Sequence, residues 1–515
     1  MATPMQYKPA IPAFLLCFVF HSIVDAQSVL YSSTVSNDIN TRFEVIGKAG
    51  NFYWLYKIKK NFKIGTPVLL GEQCSFEVYD NRLNRVTEIE SSLPDVVVKQ
   101  YMVPQKVGLD QLVFKKSSNK TTAVVNRFAP DGAGAPRNAI LFEYPAVMDL
   151  EDIIVSRSPD RSKILLLCFV RTGNLTPDMY AKVYNRDWEL LHDSIYKQDN
   201  LVQPLIQYYR TEYLMESPDA TPVKITNTGD WLMVTPSRRG SNYVLCHFKK
   251  EDSSFIQLDV PQSRTANIEY CSLSAGEGKH AYVGILENIS PADRRLRMIQ
   301  YNMAQKHMDY DTSYSFQQPN GFKHLEYLYQ EELIQIPGKG FMYMKEYGRQ
   351  YFVDSWGEQI MLDNEQEYAA YSNHASKLKF NDNEYTRNSN LSDTKRKFER
   401  GDLSVKYFPF HAADSSWGGL IHVQQVTELR YDNLSYACVP DKDRIIFLYN
   451  SLAKNDYKVS SSTVVDHSGQ ALDEGVIFWQ SANVLNFQNA KLVQEGELFV
   501  PFNRNVVKGF AIIRF

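Results

Sequence analysis

Ile164-Leu165-Leu166-Leu167-Cys168-Phe169-Val170 is an unbroken apolar run, preceded by the polar turn Ser158-Pro159-Asp160-Arg161-Ser162-Lys163. After it comes Tyr180-Ala181-Lys182-Val183-Tyr184-Asn185-Arg186-Asp187-Trp188, which alternates more openly. The first reads as a strand, and the alternation is the period-2 signal of a strand with one wetter face. Its Asn/Asp tip is turn chemistry, because these side chains bond their own backbone and tolerate left-handed geometry. The unit is thus an apolar inner strand, an amphipathic middle strand, a tight hairpin and a polar outer strand.

The unit repeats along the chain. Apolar strands return at 52–56, 111–114, 231–234, 281–286, 341–344, 445–449 and 498–502, which makes eight copies. Alternating partners follow at 75–83, 296–302 and 462–469. A repeat of roughly 40 to 60 residues with four antiparallel strands is a β-propeller blade. The expected fold is all-β, a single β-propeller of eight blades, with seven as the alternative count. The chain stops on Gly509-Phe510-Ala511-Ile512-Ile513-Arg514-Phe515, a strand whose unit lacks an outer partner. Val29-Leu30-Tyr31-Ser32-Ser33-Thr34-Val35 is a spare strand. Pairing the two closes the ring and removes two exposed edges.

Composition agrees. Apolar residues are 44% of the 515, enough for a packed core, and aromatic residues, at 13%, favour strands. With 56 basic against 59 acidic residues there is no cationic excess for nucleic acid. Residues 1–26 read as a secretory signal peptide: Lys8, an apolar run over 11–24, Ala26 at the cleavage position and Gln27 as mature start. That run is shorter than the roughly 20 residues of a membrane span, and no later stretch approaches one. Residues 27–515 then form one exported propeller, periplasmic or extracellular, monomeric and not membrane-spanning. Five cysteines remain, widely spaced and without a CxxC, which excludes a zinc ribbon and a disulfide-dense scaffold. Cys168 reads as a small buried hydrophobe.

The pattern breaks at about 348–402. This insertion holds Trp356, Tyr368 and Tyr371, a polar stretch over 381–390 and the charged run Lys395-Arg396-Lys397-Phe398-Glu399-Arg400. Long loops in compact domains are functional or disordered. Trp356, Tyr368, Tyr371 and Trp417 are the expected contact residues, since amphipathic aromatics dominate interfaces and sugar-stacking surfaces. A second irregular piece, 201–215, reads as packing between blades.

No HExxH, GxSxG, Walker loop or dinucleotide fingerprint is present. Asp309-Tyr310-Asp311 lacks the glycine and glutamate of a calcium loop and reads as a turn; Asp382-Asn383-Glu384 reads the same way. His374 and His411 read as solvated. No metal or cofactor is expected. Paired carboxylates for glycoside chemistry leave no linear motif, because their separation is spatial.

The turn 158–163 before its strand is similar to that of TolB-type propellers, with Arg161 where glycine is usual. The C-terminal third, from Leu434-Ser435-Tyr436-Ala437-Cys438 through Ile445-Ile446-Phe447-Leu448-Tyr449 to Phe515, resembles uncharacterised exported β-propeller-like proteins of Bacteroidota. The resemblance implies export and no particular activity. The expected function is a non-catalytic binding or scaffolding module for a protein or glycan. The alternative is a glycan-active enzyme with a site assembled from several blades. Five Asn-X-Ser/Thr sequons, at Asn119, Asn174, Asn288, Asn390 and Asn433, are too near chance to favour a eukaryotic secretory protein.

Overall fold

Each of the eight apolar runs forms the second strand of its own antiparallel sheet in the computed structural model. Blades 1 to 8 span 41–91, 97–145, 153–196, 223–260, 267–317, 330–427, 436–479 and 484–514, and together they form an eight-bladed β-propeller. The structure describes residues 28–33 and, from Thr41 onward, these blades and most of the turns within them. Residues 1–27, 34–40, 197–222, 318–329, 354–358, 361–394 and shorter stretches between strands lie outside the description. Among the described residues the one helical turn is the 3-10 turn Phe487–Asn489.

The terminal strands close the ring. Ser28–Tyr31 pairs antiparallel with Val507–Arg514, from Ser28 opposite Arg514 to Tyr31 opposite Ala511. Two bonds extend the ladder: Ser32 N–H donates to Phe510 O at 2.8 Å, and Phe510 N–H to Ser32 Oγ at 2.9 Å. The N-terminal strand is thus the fourth strand of blade 8.

In one respect the repeat differs from its sequence reading. The apolar run is second from the axis, not innermost. First strands of adjoining blades touch one another, as Ile153–Arg157 touches Val223–Ile225, and this places them around the axis. The second strand is continuously apolar because a neighbouring blade covers each face. Ile164, Leu166, Cys168 and Val170 pack against blade 2, while Leu165, Leu167 and Phe169 pack against blade 4. Apolar clusters accordingly lie between blades, and all eight junctions have one. Aromatic rings fill these wedges. Tyr53 stacks on Phe499 across junction 8–1 at 5.2 Å, and Phe76 meets Phe128 across junction 1–2 at 4.8 Å.

The Asp/Asn tips behave as their chemistry dictates. Asp80, Asn185 and Asp466 each accept from the amides two and four residues on, at 2.8–2.9 Å. The Asn84 side chain and the turn amides hold the Asp80 carboxyl below its usual range. In these turns the fourth residue is left-handed: Leu83 (φ 60), Trp188 (φ 65) and Gly469 (φ 84). Only glycine suits that geometry intrinsically. Leu83 is held there by burial in junction 8–1. Trp188 is held by Asp110, a fully buried carboxylate of blade 2 that accepts its indole N–H at 2.7 Å. Lys306, left-handed in blade 5 (φ 62), is exposed and no apolar cluster includes it. Lys306→Gly should therefore stabilise the protein by about 0.5–1 kcal/mol, the left-handed penalty less the entropy of glycine. Denaturant unfolding checks it, and unchanged or lower stability would refute the strain.

Antiparallel topology gives the ring two different rims. Turns between strands one and two and between strands three and four share one rim, and the longest of them, 129–136, has eight residues. Links between strands two and three and from blade to blade share the other, which carries 197–222, 318–329 and 354–394. We call these the short-turn rim and the long-loop rim.

Candidate functional site

Blade 6 departs from its neighbours at the long-loop rim. Its second strand, Gly340–Val353, and third strand, Lys395–Pro409, pair along nearly their whole length. A bulge lies between Glu346 and Gly348. Glu346 stands opposite both Gln330, where the first strand begins, and Leu403, which also faces Ile421 at the end of the fourth strand. Past that row, Gly348–Val353 and Lys395–Arg400 continue as a ribbon of roughly 20 Å, at ~3.3 Å per residue. Gln359–Ile360 pairs with the ribbon on one side and Gln425–Thr427 on the other. The segment 348–402 is therefore regular at its root. The charged run begins a strand, because pairing with 348–353 satisfies its backbone groups.

At the foot of the ribbon two carboxylates share a face. Glu332 stands opposite Met344, and Glu346 is two residues further along, on the side that packs against blade 7. Diagonal neighbours in this register lie about 7–8 Å apart at Cα. Tyr436, the buried first residue of blade 7, donates its hydroxyl to Glu332 Oε2 at 3.2 Å. Burial first, then the charges of Glu332 and Glu346, push the Tyr436 phenol well above its usual range, so it stays a donor. Glu346 is 1% exposed. Tyr436 engages Glu332 and Glu346 is closed to solvent, so the two are not an open pair of carboxylates. The sequence signal available was Lys345-Glu346, a charged pair continuing an apolar strand.

Of the four contact residues expected from sequence, Trp417 alone lies among the described residues. Trp417 opens the fourth strand of blade 6 at the short-turn rim, opposite Tyr407. Lys395, where the ribbon ends, lies twelve residues before Tyr407 on the third strand, or roughly 40 Å away. The Trp417 indole N–H donates to His467 O of blade 7 at 2.9 Å, and its ring lies where a Cβ on Gly469 would fall. Trp417 thus braces blade 6 to blade 7. Trp356, Tyr368 and Tyr371 lie outside the described residues, as do His374, His411, 201–215 and 382–384.

Asp309 is not in a turn but in the fourth strand of blade 5, His307–Gln317. It accepts from His280 Nε2 at 2.9 Å and His307 Nε2 at 2.6 Å, while Arg297 pairs with Asp311. These partners satisfy the two carboxylates within the strand. Among the described residues no group of three or more His, Cys, Asp or Glu is placed to hold a metal ion. No helix among them is long and apolar enough to cross a membrane.

No family model and no curated protein matches the chain. Solved structures do match it in part. A eukaryotic initiation factor is similar at 7% identity and a TM-score of 0.32, over 86% of this chain and 89% of that one. A Synechocystis apocarotenoid oxygenase is similar at 8% and 0.29, over 56% and 62%. A puromycin hydrolase is similar at 11% and 0.29, over 59% and 44%. Likenesses this distant carry no argument about reaction or partner.

Proposed function

We propose that the protein is an exported binding or scaffolding propeller whose working surface is the long-loop rim around blade 6. The observation that carries this reading is the ribbon. Strands two and three of that blade continue past its first and fourth strands on the long-loop rim. A rigid ring carrying one raised sheet suits capture of a protein or glycan partner, because binding residues gather on loops that a scaffold positions. Export rests on the reading of residues 1–26 and on the resemblance to Bacteroidota proteins.

The test replaces 361–392 with a short Gly/Ser linker, leaving the ribbon paired. Unfolding should be unchanged, and capture of partners from an extract of the source cells should be lost. Unchanged capture refutes the assignment. The second reading, a glycan-active enzyme, would need the Glu332–Glu346 pair to open, since Glu346 is buried and Glu332 is engaged by Tyr436. Sugar release that Glu346→Gln abolishes would establish it in place of the first.

A further inference from the structure

We infer that the outer strand of blade 6, Trp417–Ile421, is a dimerisation edge that pairs antiparallel with the same strand of a second copy. A dimer departs from the monomer expected from sequence. On its inner side this strand pairs with 403–407 of the third strand, and among the described residues no strand pairs with its outer side. Gly418, Gly419 and Leu420 are all exposed, Leu420 at 52%. What the two glycines expose is backbone, so the outward N–H and C=O groups are open.

A bare edge invites pairing, and outer strands are normally guarded by charge, proline or a bulge. Blade 1 has Arg85, Glu88 and Glu90 in its outer strand, blade 4 has Asp259, and blade 5 has Asp309 and Asp311. The ladders that end blades 2, 3 and 7 are bulged. In blade 8, Val29, Leu30 and Tyr31 are half-buried. Trp417-Gly418-Gly419-Leu420-Ile421 has no charge, no proline and no bulge.

The strand is also its own complement. In a two-fold antiparallel pair the central residue meets its own copy. Centred on Gly419, the register sets Trp417 against the second copy's Ile421, an aromatic against a β-branched side chain. Leu420 then stands opposite the second copy's Gly418, which has no side chain to crowd it. A Cβ at Gly419 would have nothing within 4 Å, so the centre is open. The same axis on the outer strands of blades 1 and 3 would oppose Glu88 to Glu88 and Asp193 to Asp193, and like charges directly opposite are destabilising. A ladder of five residues is small beside the roughly 1,200–2,000 Å² of lasting interfaces. The dimer is therefore a dissociable one.

The full-length protein is tested by sedimentation equilibrium and by cysteine crosslinking. The average mass should rise with concentration toward twice that of the chain. Leu420→Lys should weaken association at least tenfold with an unchanged melting temperature, because an edge lysine opposes pairing. Directly opposite Cα atoms in antiparallel strands lie about 4.5–5.5 Å apart, within disulfide reach. Gly419→Cys should therefore give a covalent dimer on oxidation, cleaved by a thiol reductant. Wild type, whose five described cysteines are buried or half-buried, supplies the background. Adding Leu420→Lys should abolish the crosslink, and Leu191→Cys, on the outer strand of blade 3, should give none. If Leu420→Lys lowers the melting temperature, the Gly419→Cys crosslink decides by itself. A chain that stays monomeric at its highest soluble concentration overturns the inference. So does a stable Leu420→Lys variant that associates like wild type, or a Leu191→Cys variant that crosslinks as readily as Gly419→Cys.

Discussion

A chain lacking residues 1–40 should lose about 3–5 kcal/mol of stability and associate through its open blade. Ser28–Tyr31 supplies four residue pairs to the last strand, and Val29, Leu30 and Tyr31 pack into the two junctions that flank blade 8. Full burial of such side chains contributes about 1.5–3 kcal/mol each; these are half-buried, so about 1 each, with the ladder adding the rest. Domains have of order 5–15 kcal/mol in total. The exposed edge would be Val507–Arg514, whose Phe510, Ala511, Ile512 and Ile513 are almost fully buried. An uncovered apolar edge is a template for pairing with other chains. Thermal unfolding and gel filtration measure both effects. A synthetic peptide of residues 27–35 should restore the melting temperature in trans. An unaltered melting temperature in the truncated chain would show that closure contributes nothing.

Glu497→Ala should cost about 3–5 kcal/mol, the range for stripping one partner from a buried ion pair. Glu497 opens the second strand of blade 8 and is 1% exposed. Its Oε2 lies 2.8 Å from Lys48 Nζ of blade 1, and its Oε1 accepts from Arg514 Nε at 3.2 Å and from the Tyr53 hydroxyl. Burial opposes the charge of Glu497, but Lys48, Tyr53 and Arg514 outweigh it and hold the carboxyl below its usual range. The folded pKa is therefore below the unfolded value of about 4.3. The clasp contributes fully above that value and fades as the pH falls through the folded pKa. The stability gap between wild type and Glu497→Gln should be constant from pH 6 to 8 and shrink below about pH 4. A gap that widens in acid would contradict the assignment.

The ring was legible in the sequence because period and composition report burial directly. Runs such as 164–170 and the complementary ends at 29–35 and 509–515 revealed eight units and their closure. Radial order was not legible. An apolar strand looks alike at the axis and one place out, and only the neighbouring blades show that both its faces are covered. Rim assignment was hidden too. Trp417 and the link 354–394 are near in sequence, yet they emerge at opposite ends of the same blade because one strand runs between them. Glu332 and Glu346 become neighbours only through the register of two strands. Left-handed Leu83 and Trp188 gave no signal, since contacts made elsewhere in the ring hold them there.

Closure also orders events in time. Ser28–Tyr31 leaves the ribosome hundreds of residues ahead of Val507–Arg514, and no other described strand pairs with it. Until Val507–Arg514 has been made, the first strand has no ladder to join. A chain cut short before Val507 has an unpaired leading segment and an open ring. Quality control that recognises exposed strands can thus distinguish finished copies from unfinished ones without reading their length.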